Sequence, residues 1–268
     1  MDSHALEYYS AYTDDLPHGH FHRIIALHDQ KEIQWSLISE LSPRLCKGWF
    51  ELAHLSARDR IDFLHEFWMT KLPYHSHFSE SLDTFFASLD DIGIFLTQNA
   101  NDEPYEPQLV YSLADNSGFF HGGPPATEAE INDLQKDFQD IILPVDYLSF
   151  LQIHNGFSKL TDTGIMKSME MGAHYREFVE MLEKEEPILT GEGRVVNPKS
   201  LIPFYKSFGM PFFQCFWSEW YPENEMGNVY YSGLAKTISD CSKTDFRVET
   251  MAFETFVDWL VFYLEKIG

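Results

Sequence analysis

Three histidines near the start of the chain have the residue type and the spacing that could bind a metal. His18, His20 and His22 alternate in PHGHFHR, so an extended backbone would place them on one face. Imidazole nitrogens are ligands for zinc and nickel. Alternation alone is not a metal-site motif, and we expect no stoichiometric metal and no cofactor here. His75 and His77 also alternate, around Ser76, and we likewise expect them to bind no metal.

Acidic residues in the second half could act as paired carboxylates in acid–base catalysis. Glu183, Glu185 and Glu186 lie close together, but such catalysis needs two carboxyl groups whose environments push their pKa values apart. Lys184 lies among them, and the segment has the character of a solvated helix end. Gly191–Gly193 is too short for a phosphate-binding loop and lacks the Lys-Ser/Thr that follows one. The sequence therefore predicts no catalytic residues and a protein that is not an enzyme.

An aromatic and acidic segment follows in FWSEWYPENE, Phe216–Glu225. Alternation would place Phe216, Ser218 and Trp220 on one face of a strand and the residues between them on the other. One face is expected to lie in the core, and the other to present aromatic rings beside carboxylates, which is typical of interface anchors. The alternative is that both faces are buried, one of them by N-terminal helices. The predicted partner-binding residues are Trp217, Glu219, Tyr221, Glu223 and Glu225.

The charge of the chain indicates its class of partner. Its 42 acidic and 19 basic residues give a formal net charge of −23. This charge repels nucleic acid and anionic membranes, so we expect neither as a partner. A basic protein is the partner that the charge favours, although acidic charge also serves solubility. The sequence does not predict an oligomeric state.

Cysteine usage and the absence of apolar runs indicate a cytoplasmic protein. Cys46, Cys215 and Cys241 are far apart and form no C-x-x-C motif, which fits a reducing compartment. The N-terminal residues have neither the basic nor the apolar region of a signal peptide. No apolar run approaches the ~20 residues that a membrane helix requires.

Residues 1–120 are predicted to form a mainly helical region. Apolar residues at helical spacing indicate helices over Glu32–Leu45, after Ser56 and from Ser81. Ser56 and Asp59 have the spacing of a capping box. Two β-branched and aromatic runs, IGIFLTQ and QLVYSL, then predict a strand pair, which is expected either to complete this region or to join the sheet that follows.

The stretch HGGPPA, His121–Ala126, is the clearest break in the chain and is the predicted domain boundary. A capping box over Thr127–Glu130 begins the next helix. In LPVDYLSFLQIHNG, Pro144 suits the first turn of a helix and Gly156 suits its left-handed end. Two aromatic strands, FFQCFWSEWY and NVYYSG, and a terminal helix headed by Phe253 complete the chain.

These motifs, in this order, resemble the SUKH superfamily, also called the SMI1/KNR4 family. The resemblance covers residues 121–268 and implies an α+β fold with a mixed, mostly antiparallel sheet flanked by helices. The N-terminal helical region, residues 1–120, is expected to pack against that sheet, and the family does not explain it. The residues that carry the resemblance are Thr127–Ile131, Leu143–Tyr147, Phe150–Leu151 and Asn155–Gly156.

The resemblance also implies a function without catalysis. It implies an intracellular protein-binding module, and many bacterial members look like immunity proteins that neutralise a toxin. Fungal relatives are regulatory interaction proteins, so a cytosolic scaffold or regulator unrelated to toxins is the alternative. A hydrolase that uses the acidic residues or the N-terminal histidines is a third hypothesis, from a different class. A deep pocket with convergent polar groups would favour that hypothesis.

Overall fold

The chain folds into two compact units. The first contains Met1–Pro125 and Ile153–Leu160, and the second contains Ala126–Gln152 and Thr161–Glu265. Each unit has helices and an antiparallel sheet, so the predicted α+β class is confirmed. The computed structural model describes residues 1–12, 19–73, 78–190, 193–222, 224–239 and 251–265.

A local capping signal starts one helix of the first unit where the sequence predicts it. The Ser56 side chain accepts a hydrogen bond from the Asp59 amide, as predicted, at the start of helix Ala57–Lys71. The buried stripe of this helix includes Leu64 and Trp68. The predicted helix Glu32–Leu45 is shorter in the structure, and α5 begins before Ser81. The helices are α1 Ser3–Tyr8, α2 Trp35–Leu41, α3 Lys47–Ala53, α4 Ala57–Lys71 and α5 Phe78–Ala87.

The sheet of the first unit includes a segment from beyond the predicted boundary. Its strands are β1 Arg23–Ala26, β2 Leu89–Gln98, β3 Glu106–Leu113, β4 Phe119–Gly122 and β5 Phe157–Lys159. Each strand pairs antiparallel with the next. The predicted strand pair is the β2–β3 hairpin, which places Ile92 opposite Tyr111. The sequence missed β1, β4 and β5. Because of β1 and the start of β4, residues 1–120 contain more sheet than predicted, and β5 comes from beyond them.

Two capping boxes begin helices in the second unit. Thr127 caps α6 and exchanges hydrogen bonds with Glu130, as predicted, and Thr255 does the same with Asp258 at α9. The last helix therefore begins after Phe253, which lies in a strand. The helices are α6 Glu128–Asp137, α7 Val145–Leu151, α8 Ser168–Lys184 and α9 Phe256–Leu264.

The predicted end of α7 is wrong. The helix starts after Pro144, which is its N-cap, and ends at Leu151 with Gln152 as C-cap. Gly156 does have a left-handed backbone, with φ of 88°, but it lies in the turn that leads into β5. Its carbonyl oxygen accepts from the Gly123 amide at 3.0 Å. The positive φ of Gly156 therefore belongs to the turn that directly precedes β5 and does not terminate α7.

Helices cover both faces of the sheet in the second unit. On one face, Phe178 from α8 packs against Tyr231. On the other face, Phe204 and Phe216 meet the Phe256 ring of α9. The strands are β6 Gly164–Ile165, β7 Leu201–Lys206, β8 Phe212–Trp217, β9 Asn228–Ser232, β10 Thr237–Ile238 and β11 Ala252–Phe253. They pair antiparallel in the order β6 to β10, with β11 also on β9. None of the helices in the described ranges combines the length and the apolar character of a membrane span.

Candidate functional site

Trp217 does not lie on an exposed face. It is 6% exposed and belongs to the core, and its Nε1 donates to Ser200 Oγ at 3.1 Å. Its neighbour Phe216 is fully buried on the opposite face of β8. The prediction of one buried and one exposed face is therefore wrong. Both faces are buried along β8, but residues of α7, α8 and α9 cover them, where the alternative expected N-terminal helices.

The remaining predicted partner-binding residues follow the end of β8. Strand β8 ends at Trp217, so strict alternation does not continue through Glu219 and Tyr221. The Glu219 carboxylate forms a 2.7 Å ion pair with Arg194, and the Tyr221 side chain is 51% exposed. Glu223 lies outside the described residues. Because the Gly227 amide donates to the Trp220 carbonyl at 3.0 Å, the loop folds back on itself before β9.

Glu225 connects this loop to the start of α7. Its carboxylate accepts a hydrogen bond from the Val145 amide at 3.2 Å. Val145 is the first residue of α7, and its N–H group has no acceptor within the helix. A carboxylate at this position is also favoured by the helix dipole. Glu225 therefore has a structural role, which its assignment as a partner-binding residue did not foresee.

Exposed apolar side chains lie beside this contact. Ile142 is 86% exposed and Val145 is 55% exposed, although both flank buried residues of the LPVDY motif. Asp140, just before them, is also exposed. We define the acidic–aromatic surface as Asp140, Ile142, Val145, Tyr221 and Glu225. The sequence segments that build it, residues 138–150 and 220–229, contain four carboxylates and neither lysine nor arginine.

Asp146 lies beneath this surface and connects two helices. Its carboxylate accepts from the Tyr147 amide at 2.8 Å and from the Val257 amide, in the first turn of α9, at 2.9 Å. Burial is the main cause that raises the pKa of Asp146 to about 6; the nearby charge of Glu225 acts in the same direction, and the amide donors oppose both effects. No local sequence pattern indicates this role, because Val257 is 111 residues away along the chain.

Comparison with known protein families now identifies the second half of the chain. A family model described as SMI1 / KNR4 family (SUKH-1) matches residues 125–261, slightly more than half of the chain. The chain belongs to the SMI1/KNR4 family. The matched range includes Ile153–Leu160, which belongs to the first unit, as well as the acidic–aromatic surface. No curated protein matches the chain.

The SMI1/KNR4 match also contains a buried histidine that belongs to the first unit. His154 is fully buried, and its Nδ1 lies 3.0 Å from the Gly123 carbonyl oxygen. Its Nε2 lies 2.6 Å from the Tyr111 hydroxyl, which accepts from Trp68 Nε1 at 3.1 Å. A neutral ring with its proton on Nδ1 satisfies every contact in this network. Burial lowers the pKa of His154 to about 4, which favours that neutral form.

His121, at the edge of the predicted boundary, forms a second network in the first unit. Its Nδ1 lies 2.8 Å from the Tyr9 hydroxyl, and its Nε2 lies 2.8 Å from Ser158 Oγ and 3.0 Å from the Leu160 carbonyl oxygen. A serine beside a histidine can form a nucleophile–base pair. Here the carbonyl of Leu160 requires a proton on Nε2, so this nitrogen is not available to accept the Ser158 proton. Burial lowers the pKa of His121 to about 4.

The other candidate residues are dispersed or lie at the surface. His20 and His22 are exposed, and His18, His75 and His77 lie outside the described residues. Over the described ranges, no group of three or more His, Cys, Asp or Glu side chains is arranged to hold a metal ion. At the end of α8, Glu183 pairs with Lys199, as expected for a solvated helix end.

Proposed function

We propose that this chain is a non-enzymatic, cytoplasmic protein-binding module of SMI1/KNR4 type whose partner is a basic protein. The net charge of −23 carries the proposal. A charge of this size accelerates encounter with a basic surface and opposes encounter with an acidic one. Family membership supports it, since relatives resemble binding proteins. Neutralisation of a toxin is one form of this function, and a scaffold or regulatory role is the other.

The test starts from the physiological partner. Affinity capture with the full chain from its native cell, followed by mass spectrometry, provides candidates, and each is purified for surface plasmon resonance over a salt series. We expect the association rate to fall as salt rises, while the dissociation rate changes less, because screening acts on the approach of the two charged surfaces. An association rate that does not depend on salt, or an acidic partner, would contradict the proposal.

The same experiment separates the two forms of the function. A captured toxin whose activity is lost on binding supports the immunity role. Gene order provides an independent check, because an immunity gene is expected beside the gene of its toxin. A captured protein that retains its activity, encoded elsewhere, supports a scaffold or regulator.

A further inference from the structure

We infer that the acidic–aromatic surface binds a basic peptide segment that also carries apolar side chains. This inference rests on the proposed function and locates it at Ile142 and Val145 and at Tyr221, in the loop that Glu225 joins to Val145 by a hydrogen bond. Asp140 lies two residues before Ile142 in the sequence. The three apolar side chains are 86%, 55% and 51% exposed, respectively. Exposed apolar groups that cluster among polar ones are typical of protein-interaction sites.

Hydrogen bonds within the chain hold the start of α7 and the loop that carries Tyr221. Val145 opens α7, and its amide is held by the Glu225 carboxylate at 3.2 Å. Tyr221 follows Trp220, whose carbonyl accepts from the Gly227 amide. The next residue after Val145, Asp146, is tied to α9 through the Val257 amide. A surface that is already ordered loses little conformational entropy on binding, so a larger part of the contact energy appears as affinity.

The distribution of cations distinguishes this surface from the other acidic regions of the second unit. On α6 and α8, several carboxylates are paired with the chain's own lysines, as in Asp133 with Lys136 at 2.7 Å and Glu180 with Lys184 at 2.6 Å. Of the four carboxylates in residues 138–150 and 220–229, Asp146 is buried and Glu223 lies outside the described residues. Asp133 and Glu180 are thus paired with lysines of the chain, whereas no ion pair of the described residues includes Asp140 or Glu225, so a cationic ligand is attracted there.

This combination selects one kind of occupant. Nucleic acid, an anionic membrane and a second copy of a chain with a net charge of −23 would each be repelled. A basic segment is attracted, and its apolar side chains can cover Ile142 and Val145. Tyr221 adds specificity for cations, because an arginine or lysine can lie over the face of its ring.

A defined peptide tests the inference on the full chain. The probe is a Lys/Leu peptide of about 14 residues with leucines at helical spacing, and its affinity is measured by fluorescence anisotropy. We expect Ile142→Ser and Tyr221→Ser each to weaken binding roughly tenfold, as for anchors at an interface centre. Asp140→Asn should weaken binding about twofold and reduce its salt dependence. Amide hydrogen exchange should show protection in residues 138–150 and 218–229.

Matched controls distinguish binding at this surface from binding that the net charge of the chain causes anywhere on it. Leu234→Ser removes an apolar side chain that is 69% exposed in the turn between β9 and β10, and it should leave the affinity unchanged. A peptide with glutamate in place of lysine should not bind. Equal binding of the glutamate peptide, an unchanged affinity in both Ile142→Ser and Tyr221→Ser, or protection elsewhere in the chain would each overturn the inference.

Failure of this inference differs from failure of the proposed function. A captured partner with salt-dependent association, whose affinity is unchanged in Ile142→Ser and Tyr221→Ser, would exclude this surface and leave the proposed function intact. A physiological partner that is acidic would refute the proposed function, whatever the peptide does.

Discussion

The first unit buries two imidazoles whose pKa values are lowered, whereas the second buries a carboxylate whose pKa is raised, so these groups make stability depend on pH in opposite directions. Burial favours the neutral form of each group, so it lowers the pKa of His154 to about 4 and raises the pKa of Asp146 to about 6. The same physical effect, burial, therefore makes the stabilities of the two units change with pH in opposite directions.

The sign follows from which state binds more protons. Between about pH 4 and 6.5, unfolded His154 is protonated and native His154 is not, so the free energy of unfolding of the first unit rises with pH. Between about pH 4 and 6, native Asp146 keeps a proton that the unfolded state has lost. The free energy of unfolding of the second unit therefore falls as pH rises through that window.

The largest expected effect comes from removing the ring at the centre of the first network. Trp68 is fully buried and contacts Phe85, Phe86, Tyr111 and His154. Trp68→Ala should lower the free energy of unfolding by about 3–5 kcal/mol, because it leaves a cavity and removes the donor to Tyr111. Urea unfolding followed by circular dichroism measures this loss.

The control for Trp68 is on the same helix. Phe63 is 53% exposed on α4, and Phe63→Ala should change the free energy of unfolding by no more than about 0.5 kcal/mol. Equal losses of unfolding free energy in the two variants would show that the buried Trp68 ring stabilises the unit no more than the exposed Phe63 ring.

A second change isolates the imidazole itself. His154→Gln removes the titrating group, so the rise in stability between about pH 4 and 6.5 should shrink by roughly 3 kcal/mol. A rise of similar size should remain from His121, because burial also lowers its pKa to about 4. Hydrogen exchange of β3 and β4 amides at several pH values, corrected for intrinsic rates, measures the effect. The prediction fails if the variant keeps the full rise.

The matching change in the second unit should act with the opposite sign. Asp146→Asn keeps an oxygen that can accept from the Val257 amide but cannot ionise. The fall in stability from about pH 4 to 6, worth up to roughly 3 kcal/mol, should disappear. Exchange of amides in α7 and α9 provides the measurement. A fall of the same size in the variant would assign the pH dependence to another group.

The smallest expected effect concerns Gly156, whose φ of 88° is unfavourable for a β-branched residue. Gly156→Val should cost at least ~1 kcal/mol. Gly48→Ala is the contrast, since a Cβ there meets nothing within 4 Å and the residue lies in α3. That variant should gain up to about 1 kcal/mol. Thermal unfolding compares them, and an undiminished stability in Gly156→Val would show that the turn tolerates a side chain.

The elements that the sequence predicted best have partners a few residues away. Ser56 with Asp59 and Thr127 with Glu130 place both halves of a cap within one turn, so the pattern contains the whole interaction. Strand β7 was missed because Pro203 in LIPFYK argues against a strand. The structure accommodates this proline at an irregularity in the β7–β8 register, between Pro203 and Tyr205.

The candidate surface could be predicted only in part, because its contacts span long distances in sequence. Composition pointed to Tyr221 and Glu225, but no local pattern could place Ile142 and Val145 beside a loop 80 residues away. Trp217 was misplaced because residues of α8, distant in sequence, cover its face of β8, so that face is buried as well. The buried networks of His154 and Asp146 also depend on distant partners.

The first unit is completed by Ile153–Leu160, a later segment of the chain, and this has a consequence for folding during synthesis. β4 gains its second neighbour only when β5 has left the ribosome, well after residue Pro125. Until then, the nascent first unit exposes an unpaired edge at Phe119–Gly122, which chaperones or other nascent chains can engage. A fragment that stops at Pro125 would keep that edge permanently, so expression of the N-terminal half alone is expected to yield aggregates that the full chain avoids.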